Sequence, residues 1–411
     1  MKQLPLRSAL ALTAICSTAS LSGAGFYLSE VGTPGSLGTA GVGNVVNNFA
    51  ADSAWTNPAG MTGVHEDQIM MGASVIAANI RFDASSKTTA DGGDGGNAGE
   101  VVAAPGLFGT KKITDELWVG MGIAGTSGGG MNYDNDWAGR YGATDVELMG
   151  IGFSPSAAYK ISDKLSIGAG VSIIYTQFSE TIAINKPMDS DGRVKFDELD
   201  DWGYQPFAGI QFQLTEQLLL GVVYRAEMDV DLEGDIKFRN MPAATANDMK
   251  LSWDNPQTIE AALRYDIDEH WMVAVNGGWQ DWSIFSKNQI DVDGPAADPA
   301  TLDRNWQDTW HAGIAAAYTV DNSRYSVGFS YESSPVEDED RTVDLPMDEQ
   351  FKFSASYAWD GHKQWSYAVG ATLYYLGDGK IEEQNTQGVI VDGEYDTNYM
   401  IIAGMTARYR F

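Results

Sequence analysis

The chain ends in an alternating stretch, YMIIAGMTARYRF, at positions 399–411. Every second residue on one side of it is apolar or aromatic: Tyr399, Ile401, Ala403, Met405, Ala407, Tyr409 and Phe411. The residues between them include Thr406, Arg408 and Arg410. Successive side chains of a β-strand point to opposite faces. A period of two therefore predicts a strand with one apolar face.

The same alternation returns along most of the chain, whereas helical periodicity is hard to find after the N-terminal residues. From about Glu66 onward it predicts about fourteen strands, over 67–82, 101–110, 117–126, 146–160, 165–182, 202–213, 218–233, 250–265, 271–290, 307–320, 324–333, 350–359, 365–381 and 398–411. Short polar turns such as 162–164 alternate with long segments such as 127–145 and 183–201. An even number of antiparallel strands, with short turns at one end and long loops at the other, is typical of bacterial outer-membrane barrels.

The predicted fold is therefore all-β, a transmembrane antiparallel β-barrel of about 14 strands formed by residues 66–411. A closed barrel pairs its backbone groups inside lipid without any long apolar run, which is compatible with a mean hydropathy of −0.22. Tryptophans near predicted strand ends, such as Trp202, Trp271 and Trp310, favour the boundary between lipid and water. A soluble β-sandwich or propeller, which alternates in the same way, is the alternative.

Composition excludes several classes of protein. The 56 acidic and 26 basic residues give a net charge of −30, which argues against a nucleic-acid partner. The single cysteine excludes an internal disulfide and a cysteine-based zinc site. A hydrophobic content of 44% argues against disorder. An apolar run long enough for a membrane helix is lacking beyond the N-terminus.

The first residues have the order of a secretory signal peptide. Lys2 and Arg7 precede an apolar stretch at 9–15, and small residues follow up to Ala24. We assign residues 1–23 to a signal peptide, which would be removed together with Cys16. Combined with the barrel pattern, this signal predicts a mature protein in the bacterial outer membrane.

Residues 24–65 form a separate segment that is rich in Gly, Ala and Asn, with few charges and no clean alternation. A barrel of about fourteen strands has a lumen wide enough to need filling, unless it is an open pore. We therefore predict that this segment is an N-terminal hatch that plugs the lumen.

Several motifs, in their order along the chain, resemble the FadL-type long-chain fatty-acid transporters of Gram-negative outer membranes. They are Ala24-Gly25-Phe26, the stretch 35–43, Asn57-Pro58-Ala59-Gly60-Met61, Tyr224-Arg225-Ala226-Glu227 with Gly234, Trp279 to Phe285, and Tyr331 to Val336 with Arg341 and Leu345-Pro346. The resemblance covers essentially the whole mature chain. The closing aromatic Phe411 adds to it.

This resemblance implies a monomer that passively takes up long-chain fatty acids or similar hydrophobic molecules, surrounded by outer-membrane lipid and lipopolysaccharide. No cofactor, metal or catalytic residue is implied. Ligands would pass from the outer loops to a pocket inside the barrel, and would leave sideways where the third strand is kinked. The residues that the resemblance points to are Phe26, Leu28, Lys287 and Arg225 for the ligand, Asn57, Pro58, Ala59 and Gly60 for the hatch, and Gly120, Gly122, Gly125, Gly128, Gly129 and Gly130 for the opening. Glycines suit such an opening because they weaken strand pairing and permit bends.

The chemistry of the ligand stays open at this point. The loop predicted at 183–201 is short and strongly acidic, and Lys287, Arg225 and Arg264 are only candidates for meeting a carboxylate. A neutral hydrocarbon or aromatic ligand is the alternative. The acidic loops, such as 337–340, keep the outer face soluble. They could also disfavour anionic substrates and hold divalent cations.

Other motifs carry competing interpretations. Residues 120–125 spell G-x-G-x-x-G, but no helix is predicted after them to bind a nucleotide. Residues 125–129 match G-x-S-x-G, so Ser127 would be the nucleophile of an outer-membrane lipase or esterase. Residues 187–198 resemble a calcium-binding EF-hand loop, but Pro187 stands where the first Asp belongs. An aqueous porin is a further alternative, which the low-charge hatch disfavours.

Overall fold

The computed structural model describes residues 33–186, 190–241, 247–292, 300–384 and 387–411. The assigned signal peptide, Phe26 and Leu28 lie outside these ranges. The helices are α1 (Pro34–Leu37), α2 (Ser53–Thr56) and two 3-10 helices, Pro58–Gly63 and Trp282–Ser286. Within the described ranges, no helix is long and apolar enough to cross a membrane.

The described residues otherwise form strands. These are β1 (Gln68–Asn79), β2 (Asp83–Ala84), β3 (Val101–Lys112), β4 (Leu117–Asn132), β5 (Asp145–Lys160), β6 (Leu165–Ile184), β7 (Gly192–Gln213), β8 (Leu218–Arg225), β9 (Met228–Arg239), β10 (Asn247–Asn255), β11 (Thr258–Asp266), β12 (Trp271–Gln280), β13 (Lys287–Val292), β14 (Ala300–Asp303), β15 (Thr309–Val320), β16 (Ser323–Glu332), β17 (Gln350–Asp360), β18 (Trp365–Tyr375), β19 (Lys380–Gln384), β20 (Ile390–Glu394) and β21 (Tyr399–Arg410).

The long strands close into an antiparallel barrel. The last strand, β21, pairs with the first strand, β1, along its whole length, from Arg410 opposite Gln68 to Tyr399 opposite Asn79. Four wall strands consist of two consecutive pieces each: β8 with β9, β10 with β11, β12 with β13, and β14 with β15. Counting each as one gives fourteen wall strands in the described chain, which confirms the predicted fold.

The breaks inside these wall strands were not predicted. The sequence pattern runs through 218–233, 250–265 and 271–290, but the structure interrupts each of these strands. One break falls at Pro256, between β10 and β11, and proline has no N–H to donate to a ladder. The predicted loop at 183–201 is also mostly strand, because β7 begins at Gly192 with Val194 and Phe196 buried and Lys195 exposed.

The two faces of the wall differ in the expected way. On β5, Met149 and Ile151 are exposed, whereas Leu148 and Ser154 face inward and are buried. The exposed face of β21 carries Ile401 and Met405 in the same manner. An apolar outer face without protein contacts is what a lipid-facing barrel presents.

The described part of the N-terminal segment, residues 33–65, lies inside the barrel. It comes so close to the wall that a Cβ on several wall glycines would collide with it: Gly120 with Met61, Gly168 with Ala59, Gly209 with Asn57, Gly221 with Val45, Gly328 with Thr39 and Gly404 with Leu37. These glycines stand on different wall strands around the lumen. The segment also meets Arg264 and Arg408, which lie next to the short turns, so it fills the short-turn end.

The long-loop end is covered by packed loops. Tyr133 stacks on Trp137 with ring centroids 4.0 Å apart, and Phe82 and Tyr395 pack beside them. A small sheet of β2, β20 and β19 lies in the same region. We call these packed loops and the small sheet the cap.

Candidate functional site

The wall is incompletely paired at one seam, between β3 and β4. Ladder pairs join these strands only from Lys112 opposite Trp118 to Gly106 opposite Ala124. Further out, a single bridge joins Gly99 to Met131. Between these limits, residues 100–105 and 125–130 face each other with no ladder pair in the described structure. We call this interval the wall gap.

The local sequence accounts for the wall gap. The pairing of β4 with β5 shifts register between Gly125 and Ser127, which is a bulge that bends the strand. Three glycines follow the bulge, at 128–130, and glycine inside a strand weakens regular pairing. On the opposite edge, Pro105 has no N–H to donate. Each strand keeps its other neighbour, because 101–105 pair with β1 and 127–132 pair with β5.

A cavity of about 470 Å³ passes through the wall gap. Its lining includes the buried side chains of Ala124 and Leu148, and also Met149 and Ile151, which are exposed on the lipid side. The cavity therefore reaches both faces of the wall.

A smaller cavity of about 20 Å³ adjoins the wall gap on the inside. Most of its lining is apolar: Ile76, Ala78, Ile80, Val102, Pro346, Met347, Leu376 and Met400. It shares Glu100, Gly128 and Gly129 with the larger cavity. We call it the inner chamber, and together the two cavities lead from the interior to the lipid side along a lining that combines apolar side chains with charged ones such as Glu100.

The six glycines assigned to the opening fall into two groups. Gly120 and Gly122 lie in the paired half of the seam, against Met61 and Trp55 of the N-terminal segment. The other four, Gly125, Gly128, Gly129 and Gly130, line the wall gap. Gly128 has room for a side chain, because the nearest atom to a Cβ there would be the Leu148 carbonyl oxygen at 4.0 Å.

The residues assigned to the hatch hold the N-terminal segment against the wall. The Asn57 side-chain amide donates to the carbonyl oxygens of Val45 at 2.8 Å, Ile210 at 3.3 Å and Val222 at 3.4 Å. Its side-chain oxygen accepts from the Ala59 N–H at 3.2 Å. Pro58, Ala59 and Gly60 are fully enclosed, and a Cβ on Gly60 would collide with the Asn47 carbonyl.

The basic residues considered for a ligand carboxylate lie away from the wall gap. Arg225 donates to the Trp55 carbonyl and lies over the Phe207 ring, 4.8 Å from its centroid. Arg264 donates to the Val46 carbonyl at 3.1 Å and to Asn48 Oδ1 at 2.7 Å. Both arginines thus bind the N-terminal segment. Lys287 is exposed at the start of β13.

Carboxylates line the path instead, and no sequence motif pointed to them. Glu100, Glu147 and Glu198 belong to the large cavity, and Glu100 also borders the inner chamber. In the sequence these residues look like ordinary acidic positions in or near loops. Only the pairing of the strands brings them together.

A buried acidic cluster lies in the cap. Arg304 Nη2 is 2.8 Å from Asp344 Oδ2, and both side chains are buried. Glu180 and one oxygen of Glu383 are buried nearby without a hydrogen-bond partner in the described residues. Burial, with the Asp344 carboxylate as the second cause, raises the pKa of Glu383 to about 8. This cluster favours a protonated carboxyl inside the closed cap.

The nucleophile and nucleotide motifs lie inside a strand and lack the strand-to-helix geometry that each needs. Ser127 lies within β4, which continues to Asn132, so the strand-to-helix turn of a nucleophile elbow is absent there. The G-x-G-x-x-G stretch lies in the same strand, and the helix that a nucleotide site requires does not follow it. Residues 187–189 of the EF-hand-like loop lie outside the described ranges, and Asp191 binds Arg140 at 2.8 Å.

Comparison with known proteins assigns the family. A family model described as outer membrane protein transport protein (OMPP1/FadL/TodX) matches residues 14–411. The chain belongs to this family. It is thus a transport protein of the bacterial outer membrane, which confirms the predicted family and location.

Two curated relatives match this chain along nearly all of their length. The chain is 25% identical to a long-chain fatty acid transport protein of Escherichia coli O6:H1, over 94% of each chain. It is 24% identical to the protein of the same name from Salmonella typhi, over 93% of this chain and 94% of that one.

Two solved structures share the fold. A FadL homologue of Pseudomonas aeruginosa superposes with a TM-score of 0.85 at 17% identity, over 94% of this chain and 99% of that one. The toluene transporter TbuX of Ralstonia pickettii gives a TM-score of 0.72 at 18% identity, over 93% and 99%.

Proposed function

We propose that this protein admits hydrophobic small molecules passively across the outer membrane and releases them sideways through the wall gap. The observation that carries the proposal is the continuity of the apolar inner chamber with a cavity that reaches the lipid side. A ligand on this path can bury its surface against apolar side chains such as Val102, which lines both cavities, and Met149. Burial is favourable by about 25 cal/mol per Å² of apolar surface, so no energy source is needed for entry.

The N-terminal segment fills the short-turn end of the lumen. Transport through the wall is therefore favoured over transport along the barrel axis. We propose that residues 24–65 act as a permanent plug, anchored by Asn57, Pro58, Ala59 and Gly60. Asn57 bonds to carbonyls of both β7 and β8, so its loss would release the segment from two wall strands. An aqueous porin would need this lumen to be open.

The ligand class follows from the path and from the relatives. The relatives that the chain matches are named for long-chain fatty acids and for toluene, and both kinds of molecule carry apolar surface that the cavities can bury. We propose long-chain fatty acids or hydrocarbons as the cargo, with Phe26 and Leu28 contributing to the pocket and Lys287 and Arg225 as secondary candidates. We also propose a monomer surrounded by lipid and lipopolysaccharide, because β21 pairs with β1 along its whole length and so leaves no unpaired terminal strand for a partner.

Uptake into liposomes tests this function. Liposomes that contain the purified protein should take up a radiolabelled long-chain alcohol and toluene faster than protein-free liposomes. The same preparation should show little ion conductance in a planar bilayer. High conductance without faster hydrophobic uptake would mean an aqueous porin. Hydrolysis of an ester substrate, lost in Ser127→Ala, would mean a lipase.

A further inference from the structure

The acidic lining of the wall gap bears on which hydrophobic molecules can pass. Resting on the proposed function, we propose that the path admits uncharged hydrophobic molecules and discriminates against free carboxylates, with Glu100 as the residue that sets this preference. The cargo of this protein would then be hydrocarbons, alcohols and similar neutral compounds rather than ionised fatty acids.

Glu100 occupies the threshold between the two cavities. It directly precedes β3 at the edge of the wall gap and lines both the inner chamber and the outer cavity. Its side chain fills the space that a Cβ on Gly130 would need, on the opposite edge of the gap. Any molecule that crosses the wall here must pass close to this carboxylate.

The charge of Glu100 is not neutralised. No hydrogen-bond donor or basic side chain within the described residues pairs with its carboxylate, and its neighbours in the cavity include Glu147 and Glu198. Lys195, the basic residue of this lining, forms an ion pair with Asp197. The passage is therefore negative on balance, and an ionised carboxylate would meet repulsion that a neutral molecule avoids.

Three basic side chains that face the interior are already engaged within the protein. Arg225 and Arg264 donate to backbone carbonyls of the N-terminal segment, and Arg304 is paired with Asp344. A ligand carboxylate would thus leave water at the gap without gaining a cation. Burying a charge under such conditions is costly.

A matched set of ligands tests the inference. We would measure initial uptake of a long-chain carboxylic acid, the primary alcohol and the primary amine of the same chain, at neutral pH, into liposomes that contain the full protein. The wild-type protein should take up the alcohol about tenfold faster than the acid, since each 1.4 kcal/mol of repulsion corresponds to about tenfold. Glu100→Gln should narrow this ratio, and it should lower uptake of the amine relative to the alcohol. That opposite response distinguishes charge from pore width.

Two further variants make the test robust. Glu147→Gln, on the exposed outer rim, should shift the acid-to-alcohol ratio in the same direction but less, and it keeps the test valid if Glu100→Gln fails to fold. Glu216→Gln, in an exposed turn at the opposite end of the barrel, should leave the ratio unchanged.

The outcomes separate the two proposals. Wild-type uptake of acid and alcohol at equal rates, or a ratio that neither variant changes, would overturn the carboxylate preference and leave the proposed function standing. Uptake of none of the three ligands above the protein-free level would overturn the proposed function itself.

Discussion

Two seams of the same barrel wall show what makes an opening. Strands β17 and β18 pair without interruption, from Phe351 opposite Tyr375 to Asp360 opposite Ser366. Strands β3 and β4 pair over their short-turn half and then separate. β4 carries a bulge and a run of three glycines, and β3 carries Pro105, whereas β17 has neither glycine nor proline. A closed barrel can thus hold a gap at one seam, because each strand beside the gap keeps its ladder with its other neighbour.

The largest expected effect comes from filling the gap. Gly128→Trp should lower hydrophobic uptake by about tenfold or more, because the indole would occupy the open space beside Leu148 and remove the apolar surface that a ligand buries. Uptake into liposomes measures it. The control is Gly109→Trp, in the paired half of the same seam, where a Cβ also has room. Normal uptake by a folded Gly128→Trp protein would place the path elsewhere.

The next effect concerns the short-turn half of the barrel. Asn57→Ala removes three donations to backbone carbonyls and leaves the buried Ala59 N–H without its acceptor, and a buried group left unpaired costs about 1–3 kcal/mol. We expect a loosened N-terminal segment and a rise in ion conductance across a planar bilayer, while the wall gap is retained. Asn185→Ala, at an exposed position, is the control. An unchanged conductance would show that the plug does not depend on this anchor.

The smallest effect is a pH dependence of the stability of the cap. The pKa of Glu383 is raised from 4.5 to about 8 in the folded protein, so the folded cap holds this proton more tightly than the unfolded chain. The resulting stability is complete below pH 4.5 and is lost as the pH rises through about 8. Hydrogen-exchange protection of the cap, corrected for intrinsic rates, should therefore fall over this range.

A neighbouring pair of residues provides the control for this effect. Glu383→Gln should flatten the pH dependence of protection, because a buried amide does not titrate. Glu382→Gln, at the adjacent exposed position, should retain it. Equal pH dependence in both variants would exclude Glu383 as the titrating group.

Much of the fold could be predicted because its signal is local. Alternation and short polar turns predict the fourteen wall strands, and the stretch 399–411 forms the closing strand β21. The outer part of β7 could also have been found, since Val194 and Phe196 alternate with Arg193 and Lys195. Its acidic neighbours made it look like a solvated loop. The break between β12 and β13 depends on how Trp282 and Phe285 pack, which a strand pattern does not contain.

The site could be predicted only in part, because the pairing of β3 with β4 decides which residues come together. The glycines at 125–130 indicated where β4 would separate from its neighbour. The role of Glu100 depends on its contact with Gly130, thirty residues further along the chain. It also depends on the gap between two strands, which the pattern of one strand cannot predict. Arg225 and Arg264 were natural candidates for a ligand carboxylate. In the structure they donate to backbone carbonyls of the N-terminal segment, and such tertiary contacts cannot be read from the sequence.

In the proposed transport, a hydrophobic ligand leaves through the gap between β3 and β4. The most direct test uses a long-chain alcohol with a photoreactive diazirine, which is irradiated with the purified protein in detergent, followed by peptide mapping of the adducts. We expect adducts on residues 102–105 and 123–129, with fewer in Gly128→Trp. Adducts confined to the short-turn end, around Phe49 and Trp359, would contradict it and indicate passage along the barrel axis.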